Sequence, residues 1–262
     1  MIVRDEADGS LILIAQTDHA KISGLFASHW GNDRFEKPHP NESAVRAAMF
    51  HDCGWYSYET SPRLDPTTKK TLNFMQVPLD KPQLDAFQWA TDWLTDIDPY
   101  AGLLINRHRT GLWRGRYEAI TYPAAFNAKN LSEPLQNFIA KNEARQQQEL
   151  SSVEASEFQT NYQLLQVWDL LSLYFCVRDV GDDHIEPVPT HYNDKAGVRM
   201  TLKPVGAGKV AIDPYPFDVP SLGFSVLHRR LEKNTFSDQA AFREEYFKAP
   251  QQAMPFQLIG NG

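Results

Sequence analysis

His51 and Asp52 stand side by side at the end of a short apolar run, Ala48-Met49-Phe50, and Gly54 follows two residues later. Imidazole and carboxylate both ligate divalent metal ions well, and a glycine lets the chain turn away sharply. Three more residues of the same chemistry, His19, His108 and Asp169, each interrupt an apolar helical face. Taking about 100° per residue, Phe26 and Trp30 each fall within about 20° of His19, so His19 looks inward. Asp169 shares its side of a helix with Tyr162, Leu165, Leu173 and Cys176, and the opposite side, with Leu164, Trp168, Leu171 and Phe175, is apolar too. A lone carboxylate there would be costly, so Asp169 needs a cationic partner, strong hydrogen bonds or a metal.

The elements that must position these groups follow from periodicity and punctuation. Leu11 to Ala15 reads as a buried strand, and Thr17 or Asp18 can start a helix running to about Trp30. Asn41 can cap a helix that ends by Gly54. Residues 60–82 carry Pro62, Pro66, Pro78 and Pro82 and read as irregular, a lid or binding loop or a surface excursion. Helices are expected over Leu84 to Ile97, from Asp98-Pro99 with Ala101, Leu104, His108 and Leu112 on one face, over the polar stretch Leu131 to Glu154, and over Phe158 to Val177. Arg114 to Lys129 reads as loop. The acidic stretch Asp179 to Gly197 reads as a connector. After it come a hairpin (Val198 to Lys203 and Lys209 to Asp213), a strand over Gly223 to Leu231, a helix over Asp238 to Lys248 and a last strand over Phe256 to Ile259. The expected fold is mainly α, with an N-terminal strand and a small C-terminal β-containing appendage, divided as 1–180 and 181–262.

Composition narrows the function. The chain has 262 residues and a net charge of −7, which leaves no basic footprint for nucleic acid. Its two cysteines, Cys53 and Cys176, argue against a disulfide scaffold and for a reducing, cytoplasmic setting. The first residues lack the basic start and apolar run of a signal peptide, and the long uncharged helix around Asp169 is too polar for a membrane span. Homo-oligomerisation stays open.

In order, His19, His51-Asp52 and Asp169 form an H…HD…D pattern that resembles the HD-domain superfamily of metal-dependent phosphohydrolases, with His108 where many members place a further histidine. The flanking text, Gln16-Thr17-Asp18-His19-Ala20 and His51-Asp52-x-Gly54-Trp55, is also similar to an uncharacterised bacterial family with that kind of helical core. The resemblance covers roughly residues 10–180. It implies an HD-like helical core in which His19, His51, Asp52 and Asp169 ligate a divalent transition metal (Mn, Fe, Co, Ni or Zn) that activates water. Because His108 is the only histidine between the HD pair and Asp169, one ion is favoured over two.

Asp52 and His108 are then the candidate catalytic residues. The segment from Asn106 to Arg116 holds Arg107, Arg109, Arg114 and Arg116, and guanidinium forks match phosphate or carboxylate oxygens. Arg107, Arg109 and Arg114, with Trp55 at the mouth, are the candidate contacts to a small anionic substrate. The expected activity is hydrolysis of a small phosphorylated or nucleotide-like molecule. The alternatives are an HD-type iron oxygenase, or a non-catalytic binding protein with a structural or degenerate site.

Overall fold

The computed structural model describes residues 1–124, 131–194 and 196–260. Its elements are β1 (Ile2–Asp5), β2 (Leu11–Ile14), α1 (Gln16–Ser28), α2 (Asn41–Phe50), the single-turn α3 (Tyr56–Glu59), α4 (Lys81–Ile97), α5 (Pro99–Gly111), α6 (Glu133–Glu149), α7 (Ala155–Cys176), β3 (Asp183–Val188), β4 (Val198–Gly206), β5 (Lys209–Asp213), β6 (Ser221–Leu231), α8 (Gln239–Lys248) and β7 (Gln251–Gly260). The helices lie within a few residues of their expected places. The loop expected over Arg114 to Lys129 contains a short 3-10 turn at Gly115–Glu118 and, from residue 125 on, lies outside the described residues.

The fold class differs from expectation. The described residues are 47% helical and 21% strand with one large curled sheet, so the fold is α+β and not a helical core with a small appendage. All seven strands join in the order β1-β2-β6-β7-β5-β4-β3. The N-terminal hairpin pairs directly with a C-terminal strand, with Leu11 opposite Leu231 and Leu13 opposite Arg229. Beyond it β6 and β7 run antiparallel, and β7 lies parallel to β5. The stretch expected as a connector supplies β3, an edge strand whose Asp183, His184 and Glu186 are only partly buried. Charge on an edge strand discourages pairing with another chain, and it also hides the strand from a hydrophobicity pattern.

α7 is apolar nearly all round because it is enclosed. Phe175 meets Phe224 of β6 and Phe256 of β7 with ring centroids 5.0 and 4.9 Å apart, and Trp168 meets Trp30 at 5.9 Å. Burying a phenylalanine this fully contributes roughly 1.5–3 kcal/mol. Another side of α7 packs against α1, α2 and α5. Close approach within that group needs glycine twice. A Cβ on Gly24 of α1 would lie 2.8 Å from the Met49 Cβ of α2, and one on Gly111 of α5 would lie 2.2 Å from the Tyr162 hydroxyl of α7.

Candidate metal centre

Four helical elements deliver polar side chains to one buried point. α1 contributes His19 from its first turn, the end of α2 contributes His51 and Asp52, the last turn of α5 contributes His108 and Arg109, and α7 contributes Gln166, Asp169 and Ser172. The start of α1 has no side-chain cap of its own. The buried Glu59 of α3 stands in, accepting the Gln16 N–H and, at 2.7 Å, the Thr17 hydroxyl. A carboxylate at a helix N-terminus satisfies bare N–H groups and complements the helix dipole, which fixes the turn that carries His19.

The sequence-expected ligands converge. His19 Nε2 lies 2.9 Å from Asp52 Oδ2, and His51 Nε2 lies 3.8 Å from the same oxygen and 3.4 Å from Asp169 Oδ1. His51 donates its Nδ1–H to the Ala48 carbonyl at 2.8 Å, which leaves the lone pair of the neutral ring on Nε2. That Nε2 is fully buried and makes no hydrogen bond, since its approach to Asp169 lacks hydrogen-bond alignment. Burial opposes a charge on His51, yet Asp52 and Asp169 outweigh it and raise the imidazole above its usual value. The position calls for a cation. His19 is versatile, because its Nδ1 meets the Ser172 hydroxyl at 2.8 Å and a hydroxyl can accept or donate there.

His108 differs. Its Nδ1 lies 2.9 Å from Gln166 Nε2, and the Gln166 oxygen accepts from Arg116 at 2.6 Å. Arginine can only donate, so the amide is oriented with its NH₂ toward His108. Nδ1 of His108 therefore accepts, and the neutral ring keeps its proton on Nε2. Burial holds this imidazole well below its usual value, hence neutral. His108 enters the site as a hydrogen-bond donor, whereas His19 and His51 can offer lone pairs.

Both carboxylates are ionised. Burial pushes Asp52 up, but Arg109, His51 and His19 overcome it and hold the group well below the carboxylate range. Asp169 behaves alike, with burial outweighed by His51 and Arg116. Arg109 pairs with Asp52 Oδ1, reaches the His51 carbonyl and stacks over Phe87 at 4.1 Å. Arg116 pairs with Asp169 Oδ2 at 3.1 Å.

Arg109 is thus the one member of the expected arginine trio that touches the pair. Arg107 lies over the rings of Tyr117 and Tyr162 at 4.3 and 5.2 Å, and the half-exposed Arg114 binds Glu143 through two bonds of 2.8 and 3.0 Å. Trp55 is buried against Tyr58 and Phe87 in the core. Burial pushes the Cys53 thiol up to about 11, so it is no ready nucleophile.

Three participants were not singled out from sequence: Arg116, Gln166 and Ser172. Arg116 arrives on an unusual turn, in which Gly115, Arg116, Tyr117 and Glu118 all have positive φ, at 60°, 54°, 48° and 60°. Left-handed conformation costs a non-glycine residue roughly 1–2 kcal/mol. The turn is held by the Tyr117 hydroxyl, which donates to Glu143 at 2.8 Å, by Arg107 over the Tyr117 ring, and by the Arg116 ion pair itself.

A family model described as "Protein of unknown function (DUF3891)" matches residues 1–233. The chain belongs to that family. No curated protein and no solved structure matches it. The resemblance to the HD-domain superfamily does not hold. The DUF3891 match runs from β1 through β6 and so holds six of the seven strands of the curled sheet, which is not an HD helical core. Four scattered residues in H…HD…D order specify a cluster, which unrelated folds can assemble. The HD-type iron oxygenase loses the likeness on which it rested. Among the described residues no helix is long and apolar enough to cross a membrane.

Proposed function

We propose that this DUF3891 protein is a hydrolase that depends on one divalent transition metal and acts on a small phosphorylated molecule. The observation that carries the reading is the bare, buried Nε2 of His51 between the carboxylates of Asp52 and Asp169. His19, His51 and Asp169 offer ligand atoms that all lie within 4.8 Å of one another, as do His51, Asp52 and His108. Mixed imidazole and carboxylate donors suit Mn, Fe, Co, Ni or Zn. The residues fit such an ion, with His19, His51, Asp52 and Asp169 as its holders. When bound, the ion would supply Lewis acidity toward water and toward a phosphoryl oxygen.

The chain's own groups have separate tasks. Ser172 and the Ala48 carbonyl orient the two ligating imidazoles, and Arg109 holds Asp52 in place. His108, neutral with its proton on Nε2 and backed by Gln166, can donate a hydrogen bond to the leaving oxygen as negative charge builds there. The competing reading is a purely structural network, favoured by the fact that each carboxylate already has a guanidinium partner.

The test is phosphate release from a panel of phosphomonoesters and nucleotides by chelator-treated protein supplied with each ion in turn. Release should require an ion, and His108→Phe, which removes the donor, should lower kcat by about 10²–10³-fold with ion affinity unchanged. No release with any ion, together with melting curves that no ion shifts, would leave the structural network standing.

A further inference from the structure

The two arginines at the centre are held differently. Arg109 is fixed on three sides, by Asp52, by the His51 carbonyl and by the Phe87 ring. Arg116 uses one guanidinium nitrogen, Nη1, for both of its bonds, to Gln166 and Asp169. Its side chain is 11% exposed, against 7% or less for Arg109, Asp52, Asp169, His19 and His51. It is therefore the cluster's most solvent-facing member, and it rides on the left-handed turn.

Charge defines what such a site accepts. With the imidazoles neutral, as ligands must be, two carboxylates balance two guanidinium groups. A divalent cation among the carboxylates leaves an excess of two positive charges in a buried place, which a dianion would cancel. We infer that Arg116 is the oxyanion-binding residue of this site, released from Asp169 when a cation occupies the cluster and then gripping a doubly charged phosphoryl group. This rests on the metal-centre reading. The unused nitrogens of its fork suit a phosphoryl group. Cation and dianion then bind cooperatively, each raising the affinity of the other by the same factor.

The test is Mn²⁺ affinity, read from the electron paramagnetic resonance signal of the free ion, with and without inorganic phosphate, phenyl phosphate or perchlorate. Either phosphate should tighten Mn²⁺ binding by about tenfold in the wild type, within the usual range for linked sites. A gain only with phenyl phosphate assigns the site to monoesters, and a gain with both admits free phosphate. Perchlorate, tetrahedral but singly charged, should have little effect. In Arg116→Gln the gain should fall below about twofold, while Mn²⁺ alone binds as tightly as in the wild type or tighter, because Asp169 is no longer shared. Arg116→Lys keeps the charge without the fork and should lose most of the gain, which preserves the test if the glutamine variant does not fold. Mn²⁺ binding with an undiminished phosphate gain in both variants, or an equal gain from perchlorate, overturns the role of Arg116 and leaves the metal centre intact. Absence of Mn²⁺ binding in the wild type removes the metal centre and this inference with it.

Discussion

Arg109→Leu should destabilise the metal-free protein by about 3–5 kcal/mol, measured by urea unfolding in the presence of chelator. The Arg109–Asp52 pair has side chains 7% and 6% exposed, so neither charge is rescued by solvent. Removing the guanidinium leaves Asp52 ionised and buried, with the imidazoles of His51 and His19 as its remaining compensation. The surface pair Arg114–Glu143 provides the contrast, and Arg114→Leu should cost no more than about 1 kcal/mol. A cation supplied to the Arg109→Leu variant at a hundred times its dissociation constant should return about 2.7 kcal/mol, because it binds the native state alone. A loss below about 1 kcal/mol would show that Asp52 is not held as an isolated ion pair.

His51→Gln should separate binding from folding. The imidazole makes one hydrogen bond within its own turn, to Ala48, and its other nitrogen faces the buried carboxylates of Asp52 and Asp169. The metal-free fold therefore loses part of what holds them ionised but keeps their arginine partners. Its metal-free stability should fall by about 1–3 kcal/mol, the usual cost of taking one partner from a buried polar group. Cation binding should weaken by at least about 100-fold, or roughly 2.8 kcal/mol, because the unpartnered donor is gone. Calorimetric titration with Mn²⁺ or Zn²⁺ and parallel thermal melts measure both. Unchanged affinity would place any bound ion elsewhere in the molecule.

The ligand candidates were legible because helical periodicity exposes an inward polar residue. His19, His108 and Asp169 each break an apolar stripe, and all three are buried where that stripe points. The partners were harder to see. Arg116 reaches Asp169 only because three non-glycine residues take left-handed conformations, for which no residue type in Arg116-Tyr117-Glu118 gives a signal. Gln166 and Ser172 are uncharged polar residues on a helix that looks like plain core, and their importance appears only beside His108 and His19.

The sheet was misjudged for a different reason. Local alternation marks a strand without naming its partner, and Leu11 pairs with Leu231 across almost the whole chain. The C-terminal strands therefore looked like an appendage, although they complete the sheet begun by β1 and β2. The same difficulty misled the family likeness, because the order of metal-type residues carries no information about the strands around them.

The most direct test of the metal centre is a crystal soaked in Mn²⁺, with data collected where manganese scatters anomalously. The account predicts one anomalous peak within ligating distance of His51 Nε2 and the carboxylates of Asp52 and Asp169, with Arg116 displaced from Asp169. A cluster with no peak, its ion pairs unchanged at a concentration that occupies other sites on the molecule, would contradict it.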